Sequence, residues 1–454
     1  MDQKIHALID SYRDELIATL ARWIEVPSLK DEPAPGAPFG KEVRRMLDVA
    51  MADAAAMGFE PRDFDGYACD LTLGDAPEAV AVLGHLDVVP AGDGWQTPPF
   101  TAVIEGDRII GRGSIDDKGP ALAALYAMRA IKEAGVPLKK SIRMILGCDE
   151  ESGWEDMAYY AAHADMPEVG FSPDASFPII NTEKAMLHAF INAPLSENGL
   201  QVKQLWTGER VNVIPGECKA LLSGGADLAE KVAAYAAKVN LPYTAEVTAD
   251  GVWVTAEGIP GHSAYPEGRR NAIGMMLLLL KELGAEGPLL TLANAIGMES
   301  NGASLGCACA DEVSGPLTCN MGILHLENGA ITASLDMRVP VTADLDQLEA
   351  NARAALPGFA FLHVEKKEPH HVPAESELVS QLLAAYHEES GLDAYPTSTG
   401  GGTYAKVLKQ GVAFGAAFPD DEDLAHQAGE YASISGLMKA AKIYANALLR
   451  LCAE

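Results

Sequence analysis

"DDKGPALAALYAMRAIKEAGVPLKKSIRMILGC", residues 116–148, decides the fold class. Its first part reads as a strong helix over 118–134, closed by Gly135, because glycine tolerates the left-handed backbone that ends a helix. Its last part, "SIRMILGC", is a short apolar run of the kind that forms a buried strand. Upstream, "AVAVLG" (79–84) is another such run, and downstream "EVGFSPDA" (168–175) reads as a third, short strand. Strands alternating with helices predict an α/β fold with a mostly parallel sheet covered on both faces. In such sheets ligands sit beyond the carboxyl ends of the strands.

Working outward, residues 4–25 read as an amphipathic helix, and 41–57 as another that ends at Gly58. From about 186 to 368 the texture changes. Strand-like stretches ("LHAFINAPL", "GVWVTAEG", "ITASLDMRVPV") mix with helical patterns over 228–239, 270–283 and 344–355, which suggests an α+β unit built on antiparallel strands. "VEKKEPHHVPAESE" then leads back into helix–turn–strand texture, and His370 and His371 within it read as interdomain linker. The expected organisation is a catalytic domain in two parts, 1–185 and 369–454, interrupted by an inserted domain over 186–368.

Composition narrows the function classes. A chain of 454 residues is too long for one ordinary core, so two or three domains are expected. A net charge of −30 speaks against binding nucleic acid or an anionic membrane, both of which need a basic surface. The seven cysteines are an odd number in a long chain, and only Cys307 and Cys309 lie close together, so neither a disulfide framework nor a zinc knuckle is expected. They read as buried thiols of a reducing cytoplasm. The N-terminus has mixed charge and no apolar core of signal-peptide length, and "IGMMLLLLKELG" is too short to span a bilayer.

The chemistry-bearing side chains cluster after the predicted strands. "HLD" follows the first and supplies His85 and Asp87, which face the same way on an extended chain. They suit a metal ligand with its supporting carboxylate, or a plain ion pair. "GRGSIDDKGP" places Asp116 and Asp117 before the helix, where one can cap while the other points into the cleft. Glu150 and Glu151 follow the second strand in "GCDEESG", which taken alone is an acidic, solvated turn. Asp174 follows the third strand, and "AHQAGEY" offers His426 near the C-terminus. Imidazoles and carboxylates converging at strand ends form the donor mixture that zinc or manganese favours. Two metals sharing one carboxylate can polarise a carbonyl and hold a bridging water, which needs a nearby carboxylate as base.

With those residues in view, the sequence resembles the co-catalytic, dinuclear zinc metallopeptidase family that includes carnosinases, acetylornithine deacetylase and succinyl-diaminopimelate desuccinylase. "GHLDVVP", "GRGSIDDKGP", "DEESG", "SPDA", "GHSAYPEGRRNA" and "AHQAGEY" match its motifs in order over essentially the whole chain. Within the family, "GDGW", the long insertion, "ERVNVIP" and "GGGTYA" resemble bacterial dipeptidases of the peptidase V (Xaa-His) type.

The resemblance implies that Asp116 bridges two divalent metals, zinc foremost with manganese or cobalt as alternatives. His85 and Asp174 would complete one site, and Glu151 and His426 the other. Asp116 is chosen over Asp117 because family members often carry another residue at the second position. Asp87 would orient His85 through its ring, and Glu150 would be the general base acting on the metal-bridging water.

The inserted segment would be the family's lid, with His262 stabilising the oxyanion, Asn212 holding substrate and Arg338 pairing with a C-terminal carboxylate. Gly400 and Gly401, in "TGGGTYA", would receive that carboxylate on backbone N–H groups. The expected function is aminopeptidase-type hydrolysis of dipeptides or short peptides by a cytoplasmic monomer. The rivals are an N-acyl amino-acid deacylase or desuccinylase with the same metal centre, and a non-catalytic relative that binds peptides or metals.

Overall fold

The parallel order expected from the opening stretch is present. In the computed structural model, which describes residues 2–196 and 199–453, the strands Ala79–His85 and Ser141–Gly147 pair in parallel over their full lengths. Val169–Ser172 joins Ala79–His85, and Gln410–Ala413 joins Val169–Ser172, both in parallel. Ala68–Leu73 lies antiparallel outside Ser141–Gly147.

The helix Lys118–Ala134 ends where predicted, with Gly135 at φ 70° in the left-handed cap. Residues 118–128 are all buried, because one side packs on the sheet strand Ala79–His85 and another on the C-terminal helix Ile434–Cys452. That helix is therefore a core element rather than an amphipathic surface one.

The single helix expected over 4–25 is two, Asp2–Ser11 and Arg13–Ile24. Tyr12 interrupts the ladder: its N–H bonds the Ile9 carbonyl three residues back, while its hydroxyl donates to Glu133.

The chain divides into two compact units. One comprises 1–181, 371–397 and 402–454; the other comprises 182–370 together with Ser398–Gly401. The second unit thus takes residues 369, 370 and 398–401 from the segment predicted as 369–454, and 182–185 from the one predicted as 1–185. His370 and His371 form a two-residue strand rather than bare linker.

The second unit is built on an antiparallel sheet. Ala330–Val339 pairs with Ala185–Pro194 over ten residues, with Asp336 opposite His188 and Arg338 opposite Met186. Glu217–Leu222 and Gly251–Glu257 continue the antiparallel pattern. The apolar helix Ala272–Glu282 packs on those two strands, and its first turn is capped by the Asn271 side chain, which accepts from the N–H groups of Ile273 and Gly274. An α/β sheet that is parallel at its centre and antiparallel toward its edges, with a separate antiparallel α+β unit, matches the predicted fold class. Among the described residues no helix is long and apolar enough to cross a membrane.

Candidate active site

In the first unit three parallel strands deliver four of the candidates. His85 is the last residue of its strand, Glu150 and Glu151 follow Ser141–Gly147, and Asp174 follows Val169–Ser172. Asp116 arrives from the turn before the helix at 118. His426 arrives by a route the sequence does not announce: Tyr431–Ser433 pairs antiparallel with Arg108–Ile110, the strand that leads into "GRGSIDD". His426 itself holds a left-handed backbone, φ 64°, which is uncommon for a residue with a Cβ.

These routes converge on Asp116. Its Oδ1 lies 3.1 Å from His85 Nε2, and its Oδ2 lies 2.9 Å from His426 Nε2. Asp174 Oδ2 is 3.6 Å from His85 Nε2, and Glu151 Oε1 is 3.0 Å from His426 Nε2. His85, Asp116 and Asp174 form one group, and Asp116, Glu151 and His426 another, each offering ligand atoms within 4.8 Å of one another. Asp116 is common to both, while Asp117 belongs to neither. Asp117 occupies the cap position of the helix without bonding its N–H groups, and accepts the His85 backbone N–H at 3.1 Å instead. Glu150 also stands outside both groups, as a base that is not a ligand must.

Asp87 meets both the His85 ring and the two glutamates. His85 Nδ1 makes its closer contact, 3.0 Å, with the backbone carbonyl of Asp87, and lies 3.5 Å from the carboxylate. The Nδ1–H therefore donates to a carbonyl, which leaves Nε2 as the nitrogen with a lone pair facing Asp116 and Asp174. The Asp87 carboxylate instead accepts the N–H groups of Glu150 (3.2 Å) and Glu151 (3.1 Å), and so fixes the peptide that presents both glutamates.

The electrostatics show what the cluster lacks. Burial alone would disfavour a charged His85, but Asp116, Asp174 and Asp87 outweigh it and hold the imidazole pKa well above its usual value. His426, opposed by burial but paired with Asp116 and Glu151, is pushed up to about 11. Burial, then the neighbouring Asp174, raise Glu150 well above the carboxylate range, and burial with Asp116 raises Glu151 to about 7. Asp116 is desolvated too, yet His426 and His85 hold it below its ordinary range. Carboxylates crowded in this way retain protons unless other positive charge replaces them. Divalent cations supply that charge, and the imidazole–carboxylate donor set fits them.

Three supporting residues escaped the sequence reading. Glu430 is fully buried; its Oε1 accepts the N–H groups of Ile115 (3.0 Å) and Asp116 (3.3 Å), and its Oε2 pairs with Arg112 Nη1 at 2.5 Å. Asp156 accepts the N–H groups of Cys148 (2.6 Å) and Asp149 (2.9 Å) and a hydrogen bond from Tyr404, bracing the turn before Glu150. Glu430 and Arg112 lie inside quoted motifs, so the signal was present. Asp156 carried none.

In the second unit, Val213 lies opposite His262 across a two-residue strand pair, and the Ser263 N–H bonds the Asn212 carbonyl at 3.0 Å, placing Asn212 beside His262. His262 is exposed, and its Nδ1 accepts the Ala264 N–H at 3.2 Å, so the neutral ring carries its proton on Nε2. Arg338 is buried, with Nη1 donating to the Gly400 carbonyl at 2.6 Å. A Cβ on Gly400 would stand 2.8 Å from Ala264 Cβ, which is why glycine is needed there. The Gly401 N–H is engaged by Thr399 Oγ1 at 3.0 Å, so only a rearranged loop could offer it to a carboxylate.

Comparison with known proteins places the chain in a family. Residues 81–450 match the model of peptidase family M20/M25/M40. A Bacillus subtilis protein designated "Putative dipeptidase YtjP" is 35% identical over 453 residues, with 97% of each chain covered. Among solved structures, the di-peptidase Dug1p of Saccharomyces cerevisiae aligns with a TM-score of 0.61 at 15% identity, over 99% of this chain and 98% of its own. Human carnosine dipeptidase 1 aligns at 0.58, also at 15% identity, over 99% of both chains. The two structures share the fold. Because the family match spans most of the chain and the Bacillus relative nearly all of it, this protein is a member of peptidase family M20/M25/M40.

Proposed function

We propose that the protein is a two-metal dipeptidase that cleaves dipeptides or short peptides. The observation that carries the reading is Asp116, whose two carboxylate oxygens each face a different imidazole, one from either group of potential ligands. Two divalent ions held by His85, Asp116 and Asp174 and by Asp116, Glu151 and His426 would polarise the scissile carbonyl and acidify the attacking water. Glu150 takes the proton from that water and returns it to the leaving amine; its carboxyl, held by burial and neighbouring anions above the usual carboxylate range, suits both transfers. Asp87 keeps Glu150 and Glu151 in register through their N–H groups.

In the second unit, His262 donates to the developing oxyanion from Nε2, Asn212 holds the substrate beside it, and Arg338 pairs with the C-terminal carboxylate. Asp87 helps to fix the substrate's free amino group, and sensing both ends is what restricts the enzyme to short peptides. Zinc is the proposed metal, the cytoplasm the proposed compartment and a monomer the proposed state. Seven cysteines that are all free thiols are consistent with a reducing compartment.

Metal analysis of the purified protein, combined with a panel of dipeptides, N-acetyl and N-succinyl amino acids, tests the proposal. Two metals per chain and turnover of dipeptides are expected. Turnover of the acyl compounds alone would make the protein a deacylase.

A further inference from the structure

Asp336 and Arg338 lie two residues apart on one strand and so share a face. Asp336 is fully buried, and a buried carboxylate must be compensated by partners that its own fold supplies. Its Oδ2 accepts from Ser263 Oγ at 2.5 Å and from Arg338 Nη2 at 3.2 Å. Its Oδ1 stands 2.9 Å from His188 Nε2 and 3.1 Å from Arg338 Nε. Those last two contacts lack hydrogen-bond alignment; the guanidinium acts there through its charge, and the directional restraint comes through Oδ2.

The partners are not arbitrary ones. Ser263 follows His262, and its N–H holds the Asn212 carbonyl. One carboxylate therefore grips Arg338 directly and, through Ser263, the strand pair that carries His262 and Asn212. It also decides which edge of the guanidinium is spoken for. Asp336 takes the Nε/Nη2 edge, whereas Nη1 meets the Gly400 carbonyl and Met186 Sδ, a neutral oxygen and a weak sulfur acceptor. An incoming carboxylate can displace those neutral partners while Asp336 holds the guanidinium from behind.

We propose that Asp336 is a positioning residue for substrate recognition, which aims Arg338 at the substrate's C-terminal carboxylate and ties it to the strand that presents His262. The inference rests on the proposed function, in which Arg338 binds that carboxylate.

The test compares kcat/KM for a dipeptide with that for its C-terminal amide, in the metal-loaded wild type and in Arg338→Met, Asp336→Asn and Ser263→Ala. The readout is the acid-to-amide ratio, since a merely structural defect slows both substrates alike and leaves the ratio unchanged. Asp336→Asn is expected to lower the ratio about tenfold, chiefly through KM for the acid. Ser263→Ala, which removes one neutral donor, is expected to lower it about two- to fivefold, and remains informative if Asp336→Asn folds poorly. If Arg338→Met collapses the ratio while both other variants keep the wild-type value, the role of Asp336 is refuted and the carboxylate reading stands. If Arg338→Met keeps the ratio, the carboxylate reading fails and Asp336 has nothing to aim.

Discussion

Both units bury a carboxylate behind the groups proposed to handle substrate, yet they balance its charge in opposite ways. In the second unit, Asp336 is surrounded by Arg338, His188 and Ser263, so positive charge and a hydroxyl meet the anion from within the chain. In the first unit, Asp87 receives the N–H groups of Glu150 and Glu151, and those glutamates join Asp116, Asp117 and Asp174 around two imidazoles. Anions there outnumber the available cations. The difference teaches what each region is built to receive: the second unit's carboxylate has its counter-charge within the fold, whereas the first unit's cluster is electrostatically finished only by ions from outside. Burial near charge thus marks a support in one case and a binding site in the other.

The strongest way to break the comparison is to remove the base without touching the ligands. Glu150→Gln keeps shape and metal donors but cannot accept a proton, and a loss of about 10²- to 10⁴-fold in kcat is expected with metal content unchanged. Steady-state kinetics beside metal analysis checks it; full activity would end the assignment of Glu150. Removing the ions by chelation should abolish activity and also destabilise the first unit. A site saturated a thousandfold above its dissociation constant adds about 4 kcal/mol. Hydrogen exchange should accelerate at the N–H groups of Glu150 and Glu151 and stay unchanged along Ala330–Val339. Equal loosening of both regions would mean that the contrast in charge balance is not real.

Much of this contrast is legible in the sequence, and the part that is not has a physical reason. The helix 118–134 is legible because its stop signal, Gly135, is local, and His85, Glu150 and Asp174 are legible because each follows an apolar run. Asp87 is legible as a participant and not as an actor, since its partner is a backbone segment more than sixty residues on. Glu430 with Arg112 depends on the pairing of Tyr431–Ser433 with Arg108–Ile110, a long-range register that no local pattern encodes. Asp336 is easily passed over beside Arg338, although an acid and an arginine two apart on a strand share a face; only burial distinguishes that pair from a surface one. The helix breaks at Tyr12, whose N–H turns back to the Ile9 carbonyl and whose hydroxyl bonds Glu133 far along the chain, and helical periodicity registers neither.

Asp87 sharpens the comparison at a smaller scale. If its carboxylate acts by holding the Glu150–Glu151 peptide, Asp87→Asn replaces an anionic acceptor with a neutral one but leaves the backbone carbonyl that orients His85. A loss of about 10- to 100-fold in activity or metal affinity is expected, as for other groups that support a ligand. The loss should fall on the metal held by Glu151 more than on the one held by His85, which titration with a chromophoric chelator resolves into two steps. Equal weakening of both would return Asp87 to a plain partner of the His85 ring.

The smallest expected effect has the most telling sign. Without metal, Glu151 has its folded pKa raised from 4.5 to about 7, by burial and then by Asp116, so the folded state binds more protons than the unfolded one across that interval. Linkage then makes stability fall as pH rises from about 4.5 to about 7. His426, raised to about 11 against burial by Asp116 and Glu151, works in the same direction: its contribution is complete below about 6.5 and is lost as pH climbs. Asp336 runs oppositely. Its pKa is lowered despite burial, mainly by His188 and Arg338, so its contribution is present above the ordinary value of 3.8 and lost only as pH falls through the folded one. Metal reverses the first unit's slope, because the ligands must shed their protons to bind. Between pH 5.5 and 7, thermal unfolding of the chelated protein should therefore lose about 1 kcal/mol of stability, while the loaded protein gains. A chelated protein that grows more stable over that range would show that the first unit, like the second, already balances its own charge.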